Sequence, residues 1–349
     1  MSPQGLVHPR RQLATALILA GASVAWGAID RAAAADRATN VIRSSRPAVL
    51  YGLNFNAATA TSRPPAALRR AGEVADSVRF QIKFSGPFPA PAQSAVREAA
   101  RIWSALLTSR VPVTIEASWT SLGSAGASGI PLASTNASLW ESDHPPSPLA
   151  SNTWYPTALA RKYAGADVDS ANPDMHLDFN SDVRNWYFGT DGLTPIGQYD
   201  FLTVALQQLA HGLGFTGSMT VNAAGVGSFG IAAKNGQTYP VIFDTFTRAT
   251  PGSLTDGINF VSPSTQLGTQ VQGHKVFLSG TATKHSYGGV DPLLFSPLPW
   301  NEGASYAHLD EFTYPPGDVN AFMTPFLGRA EPIHNPGPIV LGLLTDIGW

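Results

Sequence analysis

Cysteine is absent from all 349 positions of the chain. That excludes disulfides and thiolate metal sites, so a bound metal would depend on histidine and carboxylate ligands. Charge is also scarce: Asp, Glu, Lys and Arg make up 13% of the residues and nearly cancel, leaving a net charge of −2. With so little charge of either sign, neither nucleic acid nor an anionic membrane surface is expected as a partner. No second long apolar run follows the N-terminal one, so no membrane association is expected once that segment is removed. No repeat and no low-complexity tract occurs beyond it either.

Glycine and proline are plentiful, at 33 and 28 residues. They suit a loop-rich fold with many turns rather than a helical bundle. Eight Trp and seventeen Phe supply a real core and argue against disorder. The length suits one large domain or two modest ones.

Residues 1–35 read as an export signal. Arg10 and Arg11 form a basic start, Leu13 to Ile29 is apolar and Ala-rich, and Ala33, Ala34 and Ala35 precede Asp36 at a small-residue cleavage site. The Arg10-Arg11-Gln12-Leu13 run resembles a twin-arginine signal. The expectation is a secreted, extracytoplasmic protein, and an exported chain without disulfides fits a bacterium. Residues 36–75, rich in Ala, Ser, Arg and Pro, are expected to form an N-terminal arm.

Periodicity sharpens from Val78. Val78, Phe80, Ile82 and Phe84 alternate with polar residues and predict a half-buried strand. Ala92, Ala95, Val96, Ala99, Ile102, Trp103 and Leu106 recur at helical spacing and predict a helix over 91–108. Val111, Val113, Ile115, Ala117 and Trp119 predict a second strand, giving a strand–helix–strand opening. The Ser-, Gly-, Ala- and Pro-rich stretch 120–170 reads as irregular loops, and Met175 to Asn180 as a short strand. Phe201 to Ala210 predicts an apolar helix stopped at Gly212 and Gly214. Between 216 and 300, Pro240 to Phe246 and Lys275 to Leu278 read as β-like runs among Gly-rich turns.

The chemistry concentrates in Gln207-Gln208-Leu209-Ala210-His211-Gly212-Leu213-Gly214-Phe215. Residues 207 and 211 lie one helical turn apart on one face, where two side chains can grip one ion. Zinc peptidases carry H-E-x-x-H at this spacing, with the two His on Zn²⁺ and the Glu accepting a proton from the attacking water. Here the pattern is Q-Q-x-x-H. A His near a helix end also serves as a capping or core residue, so the remainder of the chain matters.

Ser305-Tyr306-Ala307-His308-Leu309-Asp310-Glu311 is followed by Ala321-Phe322-Met323-Thr324-Pro325, and the chain closes on Asp346-Ile347-Gly348-Trp349. Together with Asn180-Ser181, Trp186 to Gly192 and Tyr199-Asp200-Phe201, this order resembles the leishmanolysin-like branch of the metzincin zinc peptidases, in particular secreted bacterial members. The resemblance runs over residues 76–349. It implies an α+β, zincin-type fold: a twisted mixed sheet, an active-site helix, a loop- and β-rich insertion over 216–304 and a C-terminal helix. It also implies Zn²⁺ as the family cofactor. His211 matches the second zinc histidine, His308 the third, and Met323 the methionine beneath the metal. Gln207 stands at the first ligand position and Gln208 at the general-base position.

A glutamine amide oxygen is a poor zinc ligand beside imidazole. Gln208 has no proton acceptor that titrates near neutral pH, and general acid–base assistance is worth ~10²–10⁴ in rate. The expectation is weak or absent zinc and a catalytically inactive or strongly impaired pseudopeptidase. A cleft that binds a peptide or protein ligand by strand addition survives that loss. The alternative is an active zinc endopeptidase using a substitute ligand (His176, His274 or His285) or a displaced base (Glu302 or Glu311). Those three histidines also read as surface or turn residues, and His334 as a turn before the last helix. A third reading makes 216–300 an adhesion or carbohydrate-binding surface.

Overall fold

The computed structural model describes residues 41–57, 59, 61–64, 76–142 and 144–349. The export-signal reading of 1–35 and much of the arm therefore lie outside the described residues. Where the arm is described it is not irregular: it holds strands β1 (Val41–Arg43) and β2 (Ala48–Asn56). Their apolar residues Val41, Val49, Leu50 and Tyr51 are buried.

The alternating segments fold as expected. β3 (Phe80–Ser85) and β4 (Val113–Thr120) run parallel, joined by helix α1 (Ala90–Ser104). α1 stops before Thr108 because the chain turns back, with the Val78 N–H taking the Leu107 carbonyl. The stretch 120–170 corrects the loop expectation. It contains β5 (Ile130–Trp140) and, after a two-residue strand at Tyr155–Pro156, helix α2 (Thr157–Ala164). β5 escaped a period-two reading because nearly all of it is buried, on both faces, with small polar residues such as Ser134, Thr135 and Ser138 among the apolar ones.

β6 (Met175–Asn180) completes the centre of the sheet, and β7 (Phe326–Arg329) returns late in the chain. The order is β7-β2-β5-β6-β4-β3, and β1 and the Tyr155–Pro156 strand also pair with β5. β4 and β6 are parallel, β5 is antiparallel to both β6 and β2, and β7 is parallel to β2. β5 alone therefore runs against the other five. The molecule is α+β with a mixed central sheet and six α-helices among the described residues.

Helix α3 (Phe201–Leu213) packs against β5 and α1 on one face of the sheet. All thirteen of its residues are buried, which is why its sequence is apolar nearly all round. Asp200 caps its N-terminus through the Thr203 N–H. Gly212 does not stop the helix but lies inside it. A Cβ there would clash with the Met175 side chain of β6, so glycine allows the helix to approach the sheet. The stop is Gly214, at φ 130°.

The segment 216–304 is no separate unit, since Phe243, Leu254, Phe260, Leu267, Val276 and Leu278 join the main core. The expected strand at 240–246 is instead a 3-10 turn, Ile242–Phe246, with the buried Asp244 accepting from the N–H groups of Val241 and Ser218. The other shrinks to Phe277–Leu278, paired with Thr247–Arg248. α4 (Thr265–Gln270) and α5 (Thr281–Ser286) are short. The last helix, α6 (Gly337–Ile347), packs on α5, and Asp346 accepts from the N–H groups of Ala282 and Thr283. Trp349 then donates its indole N–H to the Leu213 carbonyl at 2.7 Å, pinning the end of α3. No helix among the described residues is long and apolar enough to cross a membrane.

The close approach of α3 to β6 predicts that Gly212→Ala destabilises the protein by about 1–3 kcal/mol in urea unfolding, the usual range for overpacking. A change below about 0.5 kcal/mol, as at an ordinary surface site, would contradict that packing.

Candidate functional site

Gln207, Gln208 and His211 project from α3 with spacings that keep them on one side of the helix. His308 arrives from the loop after Ala304, nearly a hundred residues later in the chain. The two imidazoles meet edge to face, ring centroids 4.7 Å apart at 71°. His211 and His308 are fully buried at 0% exposure, as is Gln208, and Gln207 is at 1%.

Backbone carbonyls fix both rings. His211 Nδ1 lies 2.7 Å from the Phe215 carbonyl and His308 Nδ1 lies 2.8 Å from the Ala304 carbonyl. A carbonyl only accepts, so each ring donates an Nδ1–H and carries its lone pair on Nε2. Neither Nε2 has a hydrogen-bond partner among the described residues. Burial lowers His211 to about 4, outweighing the opposing effect of its bond to the Phe215 carbonyl. Burial and the neighbouring His211 hold His308 well below the usual histidine range. Both rings are neutral at pH 7.

The two glutamines are oriented as firmly. Gln207 Nε2 donates to the carbonyls of Phe322 at 2.9 Å and Thr324 at 2.8 Å, which leaves Oε1 buried without a partner. Gln208 Oε1 accepts from the Thr135 hydroxyl at 2.8 Å, which leaves Nε2 buried without a partner. The four side chains thus carry three acceptors (two imidazole nitrogens and one amide oxygen) and one amide donor without a hydrogen-bond partner among the described residues. By donor chemistry the two imidazole nitrogens suit a metal ion, and an amide oxygen is a weaker ligand beside them. Among the described residues no group of three or more His, Cys, Asp or Glu is arranged to hold one.

Met323 is buried in the 3-10 turn Ala321–Met323, whose neighbouring carbonyls hold Gln207. Its own carbonyl accepts from the Leu309 N–H at 2.8 Å, tying the chain just past His308 to the same turn. The other histidines lie elsewhere. His176 is on β6 beside Glu116, its Nδ1 3.7 Å from that carboxylate, on the polar sheet face away from α3. His274 is exposed beside Asp310, and His285 is exposed. His334 is buried against Asp200, at 2.9 Å, and so locks the approach to α6 onto the cap of α3. Glu302 accepts from the Trp300 indole at 3.0 Å. Glu311 is driven well above the usual carboxyl range by burial and by nearby Glu331.

Thr135 is the site residue the sequence reading missed, because it sits in β5, within the stretch read as loop. β5 also bears on ligand access. It is paired by β6 on one side and by β2 on the other, with Ala48 opposite Thr135. Among the described residues β5 thus has a neighbouring strand on each side, so strand addition would need another edge of the sheet. A cavity of roughly 20 Å³ lies nearby, lined by Arg46, Ala48, Gly217, Trp300, Glu302 and Tyr306. A larger hollow of about 390 Å³ is lined by Thr61, Leu193, Thr194 and Ile196 and touches none of the four site residues.

The buried rings make stability depend on pH. The unfolded chain gains a proton at each imidazole below about 6.5, whereas folded His211 resists until about 4. Its contribution is therefore full above pH 6.5 and is lost as the pH falls toward 4. For the metal-free protein, the stability drop from pH 7 to pH 5 should be larger in wild type than in His211→Asn by about 1–2 kcal/mol. Equal drops in parallel urea titrations would contradict a neutral, buried ring.

No curated protein and no solved structure matches the chain. Residues 79–225, from β3 through α3 and so including Gln207, Gln208 and His211 but not His308, are similar to a protein family described as SPBPB7E8-like.

Proposed function

We propose that this chain is an exported, metzincin-like pseudopeptidase of the leishmanolysin-like type: a zinc-peptidase scaffold that no longer hydrolyses peptides. The observation that carries the reading is the pairing of two converging imidazoles with two glutamines where ligand and base are required. His211 and His308 approach to 4.7 Å, and their Nε2 lone pairs are unpaired. That is the state expected of histidines that ligate a metal, down to the Nδ1–H bonds to carbonyls that set the tautomer. The residue beside them that would take a proton is Gln208, whose amide does not titrate near neutral pH.

Hydrolysis needs a base with a pKa near the working pH and within hydrogen-bond reach of the water. Gln208 offers the reverse, an N–H donor. Enclosure supports the same reading, since Gln207, Gln208, His211 and His308 are all buried. Zn²⁺, when bound, would supply Lewis acidity at His211, His308 and Gln207, a weaker ligand set than three imidazoles. The role left to the scaffold is binding of a peptide or protein segment. Among the described residues β3 and β7 end the sheet order, and strand addition would use such an edge.

The reading predicts that purified wild type leaves an unfolded protein substrate intact, at least ~10²-fold below a Gln207→His, Gln208→Glu double variant. The variant is expected to retain about one zinc per chain through dialysis and to lose its activity to a chelator. Chelator-sensitive cleavage by wild type would overturn the proposal.

A further inference from the structure

Of the two strands that end the sheet order, β7 has its outward N–H groups already engaged. The Tyr51 N–H takes the Pro325 carbonyl, so Phe326 and Gly328 turn theirs away from β2. Glu331 Oε2 accepts from the Gly328 N–H at 2.6 Å, and Glu311 engages the Phe326 N–H. Carboxyls hold the donors that an added strand would need there. β3 is different. The Arg79 carbonyl accepts from the Val113 N–H of β4 at 2.8 Å, and the register continues to Ser85. By strand alternation, the backbone groups of 79, 81 and 83 face β4 and those of Phe80, Ile82 and Phe84 face away from it. Among the described residues nothing bonds to those three N–H groups.

The side chains along this open edge are basic. Arg79 and Lys83 share the polar face of β3 and are exposed, and Lys83 Nζ lies 3.4 Å from Glu116 Oε1 on β4. Glu116 offsets one charge and also accepts from the Ser85 hydroxyl at 2.8 Å. On the other face Phe80, Ile82 and Phe84 are half-buried against the core, and the exposed Arg97 of α1 sits 4.9 Å over the Phe84 ring. Among the described residues neither Arg79 nor Arg97 has an ion-pair partner. Pairing of β3 with a second copy of itself would set these cations against one another, which opposes self-association. A strand bearing carboxylates meets the opposite balance.

We propose that β3 is the docking edge of this protein and that its partner is an extended acidic segment of another protein, with carboxylates four residues apart opposite Arg79 and Lys83. This rests on the strand-addition role given to the scaffold and deepens it, by assigning the edge and the charge of the occupant. Main-chain bonds to Phe80, Ile82 and Phe84 supply the pairing, and the basic side chains select the partner.

The test uses the full-length chain and two labelled peptides of alternating Val and Thr. One has Glu in place of two Thr four residues apart, and the other has Lys at the same positions. Fluorescence anisotropy should show the Glu peptide binding about tenfold more tightly, since exposed ion pairs replace like-charge contacts. The preference should invert in an Arg79→Glu, Lys83→Glu double variant. In wild type, amide exchange followed by NMR should slow at Phe80, Ile82 and Phe84 when the Glu peptide is added. Equal affinity for the two peptides, or a preference unchanged in the double variant, overturns the proposal. So does unchanged exchange at those three amides, a result read in wild type even if the variant fails to fold. Protection at Phe326 and Gly328 instead, or pairing of β3 with a second copy, overturns it as well. None of these outcomes bears on hydrolysis, whereas chelator-sensitive cleavage by wild type overturns the pseudopeptidase reading alone.

Discussion

Two carbonyl oxygens decide the character of this molecule. The Phe215 and Ala304 carbonyls each take the Nδ1–H of a buried imidazole, so His211 and His308 are left facing one another with both Nε2 lone pairs unpaired. An unpaired buried polar group costs about 1–3 kcal/mol, and this site concentrates four of them. Such an arrangement survives when something other than its own hydrogen bonding accounts for it. In the reading proposed above, that is a capacity to hold a ligand.

The rest of the fold holds that geometry and closes it off. α3 is capped by Asp200, which also holds His334 at the approach to α6, and its far end is pinned by Trp349. The 3-10 turn at Ala321–Met323 meets the site twice, through the carbonyls that orient Gln207 and through the Met323 carbonyl that anchors Leu309 just past His308. On the sheet side, β2 fills the edge of β5 opposite Thr135. The same strand pairing that builds the sheet thus excludes strand addition beside the histidines.

How much of this was legible beforehand depends on which residues carried a period. Phe80, Ile82 and Phe84, the Ala92–Trp103 face and Met175–Asn180 alternate or recur clearly, and these elements fold where expected. β5 does not: Ala133, Ser134, Thr135, Asn136 and Ala137 look like loop composition, yet they form the strand that most of the sheet pairs with. β2 was hidden in the same way by the Ala- and Ser-rich segment around it. At the site, the meeting of His211 with His308 followed from motif resemblance across nearly a hundred residues. Thr135 and the four carbonyl partners did not, because a backbone oxygen leaves no trace in residue identity. Gly212 was mistaken for a stop because its real role is a contact with Met175, distant in sequence.

The central claim is that two neutral rings turn their Nε2 lone pairs toward one space. Long-range ¹⁵N–¹H correlation spectra of the metal-free chain at neutral pH report the tautomer of each imidazole directly. His211 and His308 should both appear as neutral Nδ1–H tautomers, with Nε2 shifts of an unprotonated ring nitrogen. An Nε2–H tautomer or a protonated ring at either position would mean that the lone pairs do not converge, and the account of a vacated metal site would fall.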